Sequence, residues 1–83
     1  MRILYFAWLR QRTGTGMEQV TLPEQVQTVG DLVEWLRTRS PGHARAFAEL
    51  KTVRAAVNQT YVKLDHSVAD GDEVAFFPPV TGG

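Results

Sequence analysis

The chain has no cysteine. That excludes disulfide staples, thiolate zinc sites, Fe–S ligation and a cysteine nucleophile together. It also lacks charge of a dominant sign: nine Lys and Arg balance nine Asp and Glu, for a formal net charge of zero. Nucleic-acid binders draw most of their affinity from a basic patch that neutralises phosphate. Arg10 and Arg12 lie together, and Arg37, Arg39 and Arg45 are loosely grouped. Neither set stands out from a solvated face, so no nucleic-acid partner is expected. No apolar run approaches the roughly 18 residues of a membrane span, so no membrane partner is expected either. The apolar stretch Met1 to Leu9 resembles a short signal peptide, but Arg10 and Arg12 follow it directly and no small-residue cleavage site does. A first buried strand fits better, and a cytoplasmic protein is expected.

Histidine is scarce as well. His43 and His66 stand far apart with no companion ligands at close spacing, so no metal site is expected. Asp65-His66-Ser67 reads as a turn, because the members of a catalytic triad meet in space rather than as sequence neighbours. Asp70, Asp72 and Glu73 lack the glycine position and the downstream Glu of a calcium loop, and read as a hairpin turn. Thr13-Gly14-Thr15-Gly16 is followed by no Gly-Lys-Ser or Gly-Lys-Thr and by no helix start, so it reads as a loop and not as a phosphate cradle.

What remains is a single small domain of 83 residues, 43% hydrophobic and 22% charged. A chain of this size buries only about 60% of the surface its unfolded form exposes, which leaves little room for a deep active site. Residues 2–9 are rich in aromatic and branched side chains and predict a strand. Glu18 to Leu22 alternates polar and apolar and predicts a second, with Pro23 limiting its ladder. Thr28 with Asp31 three residues on resembles a capping box. Val29, Leu32, Val33 and Leu36 then follow the i, i+3, i+4, i+7 rule of an amphipathic helix, which Ser40-Pro41-Gly42 stops. A short second helix is expected over His43 to Leu50. Strands are expected over Val53 to Val57 and Tyr61 to Leu64, joined by an Asn58-Gln59 turn. The last strand runs from Glu73 to Phe77, after the Asp70-Gly71-Asp72 turn and before two prolines.

The predicted order β-β-α-β-β-β requires the main helix to lie on one face of a mixed five-stranded sheet. This α+β order is that of the β-grasp, or ubiquitin-like, fold, with the first and last strands side by side at the centre. Both faces of those strands are apolar. Ile3, Tyr5 and Ala7 alternate with Leu4, Phe6 and Trp8, and Val74 and Phe76 alternate with Ala75 and Phe77. One helix covers one face, so Phe6, Trp8, Phe77 and Tyr61 are expected on the other, where a contiguous apolar patch marks an interaction site.

The domain is expected to span residues 1–77 and an extended tail residues 78–83. Pro78 and Pro79 stiffen its exit, and its six residues reach about 20 Å. Gly82 and Gly83 have no side chains, so the tip can thread a channel that a Cβ would block.

The segments Ala55-Ala56-Val57-Asn58-Gln59-Thr60 and Asp70-Gly71-Asp72-Glu73-Val74-Ala75-Phe76-Phe77-Pro78-Pro79-Val80-Thr81-Gly82-Gly83 resemble the MoaD family, the small subunits of molybdopterin synthase. Phe6-Ala7 and Arg10 fit the same family, while residues 14–51 match in pattern only. The resemblance implies a sulfur carrier. Gly83, preceded by Gly82, would be adenylated by an E1-like, MoeB-like adenylyltransferase using ATP and Mg²⁺. It would then be converted to a thiocarboxylate that donates sulfur to a pterin precursor. No cofactor bound by the chain itself is implied. Phe6, Arg10, Tyr61, Phe77, Pro78, Pro79, Val80 and Thr81 would be contacts to a MoaE-like large subunit, which would hold the catalytic residues, in a heterotetramer. Sulfur carriers of thiamine synthesis or tRNA thiolation, ubiquitin-like protein modifiers and plain β-grasp binding modules share much of this pattern. The aromatic-aromatic-proline-proline approach to the diglycine favours the first reading by resemblance.

Overall fold

The computed structural model describes residues 1–79. The N-terminal apolar run does not form one strand. Strand β1 covers Arg2–Tyr5 and helix α1 covers Trp8–Thr13. The reversal falls at Ala7, which holds φ 55 and ψ −133. A short apolar run fits a buried strand and a helix segment equally well, which is why periodicity alone missed the break. Within α1, Leu9 is buried and the Arg12 guanidinium stacks 4.5 Å from the Trp8 ring, one turn away. Gly14 ends the helix at φ 83, where its N–H donates to the Arg10 carbonyl.

Strand β2 is shorter than its alternating pattern suggests, Met17–Gln19, because Thr21 and Leu22 leave the sheet. The Leu22 N–H donates to the Asp70 carboxylate at 2.7 Å instead. Helix α2 (Val29–Arg37) starts where Thr28 and Asp31 predict. Thr28 Oγ1 accepts from the Asp31 N–H, and the Asp31 carboxylate accepts from the Thr28 N–H. Helix α3 (Pro41–Ala46) begins two residues before the expected position. Ser40-Pro41 serves both as a stop for α2 and as the N-cap and first residue of α3. The segment expected to continue that helix to Leu50 breaks instead, and a 3₁₀ turn covers Leu50–Thr52. A Cβ on Gly42 would collide with the Arg12 carbonyl, so this glycine sets how closely α1 and α3 pack.

Strands β3 (Arg54–Val57) and β4 (Thr60–Val62) form a hairpin. Asn58 and Gln59 both take positive φ, 50 and 71, as a two-residue turn matched to the strand twist requires. Strand β5 covers Glu73–Phe77. The sheet order is β2-β1-β5-β3-β4, with β1 and β5 parallel and every other pair antiparallel. This is the expected β-grasp arrangement with the first and last strands adjacent.

The register decides which face each residue occupies. Ile3 pairs with Val74, Tyr5 with Phe76, and Phe76 with Ala55. All are buried, under Val29, Leu32, Val33 and Leu36 of α2 and Phe47 beyond α3. Phe47 meets Phe76 edge to face with ring centroids 4.9 Å apart. No helix among the described residues is long and apolar enough to cross a membrane.

Candidate functional site

Among the described residues, no helix lies on the opposite face of the sheet. Met17 stands opposite Leu4, Leu4 opposite Ala75, Ala75 opposite Ala56, and Ala56 opposite Tyr61. An apolar row therefore crosses all five strands. Phe77, paired with Arg54, lies beside it, next to Phe6, whose N–H donates to the Phe76 carbonyl at 3.1 Å. Phe6 is 49% exposed, Met17 50% and Tyr61 75%. The Tyr61 and Phe77 rings sit 5.3 Å apart, tilted against one another. Below the apolar row, Arg2 pairs with Glu73 at 3.6 Å and with Gln19 across the ladder, so the patch has a polar border. Covering one such Phe or Tyr is worth roughly 1.5–3 kcal/mol, which makes the face a ready docking surface.

Of the residues expected on this face, Phe6, Tyr61 and Phe77 are there. Trp8 is not: the reversal at Ala7 carries it into α1, where it packs half-buried against the core cluster and under Arg12. Ala7 is likewise exposed at the bend and does not join Ile3 and Tyr5. Arg10 is exposed on α1, with its guanidinium lying over Gly16. Pro78 and Pro79 leave the sheet beside Phe77, half-buried. Val80, Thr81, Gly82 and Gly83 lie outside the described residues. Leu4 lies on the same face as Phe6, as alternation predicts, whereas sequence reasoning missed Met17 and Ala56. Their signal was the register, which alternation within a single strand does not give.

A second feature was not anticipated. His43 is buried, and its Nε2 lies 2.7 Å from the Glu18 carboxylate and its Nδ1 2.7 Å from the Ser40 hydroxyl. The Tyr5 hydroxyl donates to the same Glu18 oxygen at 2.6 Å, and Arg39 lies 3.7 Å from the other. Burial, reinforced by the Glu18 charge, pushes the Tyr5 phenol well above its usual value. Burial alone would raise the Glu18 carboxyl. The hydrogen bonds from Tyr5 and His43 and the charges of His43 and Arg39 outweigh it, and the group is held below its ordinary value. Glu18 thus ties β2 to β1 and α3. His66 is exposed in a turn and does not meet His43. The Asp70 and Asp72 carboxylates are occupied by the Leu22 and Ala69 N–H groups, as a structural turn requires.

The site therefore combines an uncovered apolar face with a proline-stiffened chain exit at its edge. Among the described residues, no Ser, Cys, His or carboxylate set lies at that exit in an arrangement of nucleophile and base. The chemistry this arrangement allows is recognition of a partner by an apolar face.

The profile of the ThiS family matches residues 3–83. The molybdopterin synthase sulfur carrier subunit of Escherichia coli strain K12 is 45% identical over 83 residues, covering all of this chain and 99% of that one. The subunit of the same description from Homo sapiens is 33% identical over 86 residues, covering all of this chain and 93% of that one. The crystal structure of Haloferax volcanii small archaeal modifier protein 1 superposes with a TM-score of 0.77 at 30% identity, covering 96% of this chain and 97% of that one.

Proposed function

The chain belongs to the ThiS family, and on that premise we propose that it is the sulfur carrier subunit of a molybdopterin synthase. The observation that carries this reading is the uncovered apolar row ending at Tyr61 and Phe77, where Pro78 and Pro79 lead the chain off the sheet. The folded body offers a docking face. Gly82 and Gly83 have no side chains, so a carboxylate at Gly83 can be approached closely.

A carboxylate is a poor electrophile. An adenylyltransferase using ATP and Mg²⁺ joins the Gly83 carboxylate to AMP and releases pyrophosphate. A sulfur donor attacks the acyl carbon and AMP leaves, so Gly83 carries a thiocarboxylate, ionised and nucleophilic at neutral pH as a thiolate is. The large subunit binds the open face, with Phe6, Tyr61 and Phe77 as anchors and Arg10 at the rim. It receives Val80, Thr81 and Gly82 in a channel, and supplies the bases for sulfur transfer to the pterin precursor.

The protein-modifier reading has one observation in its favour, the likeness to the archaeal modifier protein. It predicts isopeptide conjugates of higher mass. The test of both is the intact mass of the chain after incubation with adenylyltransferase, ATP and sulfide. A gain equal to one oxygen replaced by sulfur, absent when Gly83 is deleted from an otherwise normally folded chain, supports the carrier. An unchanged mass, or the same gain without Gly83, refutes it.

A further inference from the structure

We propose that the outer edge of β4 is a docking site for an extended, acidic segment of a partner protein, which pairs with Tyr61 and drops alternate side chains into grooves on either face of the strand.

Strand β4 is the last in the sheet order, so one of its sides has no neighbour among the described residues. In a two-residue hairpin the residues flanking the turn, here Val57 and Thr60, exchange both ladder bonds. Val62 then also faces β3, and Tyr61 between them sends its N–H and C=O outward. A strand laid along that edge alternates its side chains between the two faces of the sheet. The protein has a groove on each. On the helix side, a groove of about 260 Å³ runs between Val33 of α2, Leu50, Val62, Leu64 and Phe76. On the open side, a groove of about 230 Å³ lies between Arg54, Tyr61, Val62 and Phe77. Val62 is the shared wall, and both grooves are mainly apolar. An exposed edge with pockets for alternate side chains is the arrangement that accepts an added strand.

The charge of the site selects the occupant. Arg54 lines both grooves and Lys63 lines the first. None of the ion pairs among the described residues involves Arg54 or Lys63. Arg54 instead donates to the carbonyls of Lys51 and Val53, which holds it at the groove mouth. A second copy is a poor match, because its own edge, Thr60-Tyr61-Val62-Lys63-Leu64, brings no carboxylate. The segment Val80-Thr81-Gly82-Gly83 has too few apolar side chains to fill two grooves. A foreign strand alternating apolar residues with Asp or Glu meets both demands. The proposal does not depend on the sulfur-carrier reading, and its test uses neither the large subunit nor sulfur chemistry.

The experiment is an NMR titration of the full-length chain with the peptide acetyl-Glu-Val-Thr-Leu-Glu-Val-Glu-amide, and with the same peptide carrying Lys at each Glu. The acidic peptide is expected to shift the amides of Tyr61, Val62, Lys63 and Arg54 and to slow exchange of the Tyr61 N–H. The lysine peptide is expected not to bind, and Lys63→Glu, at an exposed position, is expected to weaken the acidic peptide by roughly tenfold with an unchanged unfolding midpoint. No localised shift at millimolar peptide, equal binding of the lysine peptide, or shifts confined to α1 would overturn the proposal. So would a concentration-dependent dimer that protects Tyr61 without peptide, which would assign the edge to a second copy.

Discussion

The two faces of the central strands are built from the same kinds of residue and meet opposite fates. On one, Ile3, Tyr5, Val74 and Phe76 are almost wholly buried under α2 and Phe47. On the other, Leu4, Phe6, Ala75 and Phe77 are half-buried or exposed. Phe76 and Phe77 are neighbours in sequence and identical in chemistry. What separates them is the single layer of helix that a chain of this length can place over one side of a five-stranded sheet. A covered aromatic contributes to stability, and an uncovered one is available for association. Apolar residues on the bare face therefore serve a partner better than they serve the fold.

The sharpest way to break this comparison is to truncate both neighbours. Phe76→Ala removes a ring from a packed aromatic cluster and is expected to cost about 3–5 kcal/mol in urea denaturation. Phe77→Ala is expected to cost under about 1 kcal/mol of stability while weakening large-subunit binding by about 2 kcal/mol, near thirtyfold, in calorimetry. Equal stability losses would mean that both faces are core. The covered face also holds a polar device that the open face lacks. Glu18→Gln, which retains size and loses the charge facing His43 and Arg39, is expected to cost about 1–2 kcal/mol at neutral pH. Because the Glu18 carboxyl is held below its unfolded value of 4.5, it adds stability above that pH and loses it as the pH falls through the lower folded value. The acid limb of the stability curve should accordingly be steeper in the wild type than in Glu18→Gln. Coincident limbs would remove Glu18 from this role. The smallest effect is expected at the hinge between the faces. Ala7 holds a positive φ that glycine adopts without strain. Ala7→Gly is expected to raise stability by about 0.5–1 kcal/mol in thermal unfolding, whereas a loss would show that the Ala7 methyl makes a contact worth more than the strain.

The sequence announced the main helix clearly, because Thr28 and Asp31 fix its start and the spacing of Val29, Leu32, Val33 and Leu36 fixes its face. The strands β3 and β5 and the Asn58-Gln59 turn were legible for similar local reasons. The break at Ala7 was not. Nothing in an apolar run marks a reversal when no glycine or proline sits at the bend, so alternation alone carries Trp8 to the wrong surface. The Glu18, His43, Tyr5 and Arg39 cluster joins residues from three elements and from distant positions, and no local pattern records such a meeting. At the candidate site, the aromatics Phe6, Tyr61 and Phe77 could be read from alternation and strand position. Met17, Ala56 and Arg54 could not, since their place on the open face follows from register across five strands.

The claim that the bare face is the partner-binding face is tested most directly by hydroxyl-radical footprinting of the chain with and without the large subunit. The account predicts that Phe6, Met17, Tyr61 and Phe77 lose reactivity on binding while Trp35, half-buried on α2 at the covered side, keeps its own. Protection of Trp35 with Phe6, Tyr61 and Phe77 left reactive would contradict it.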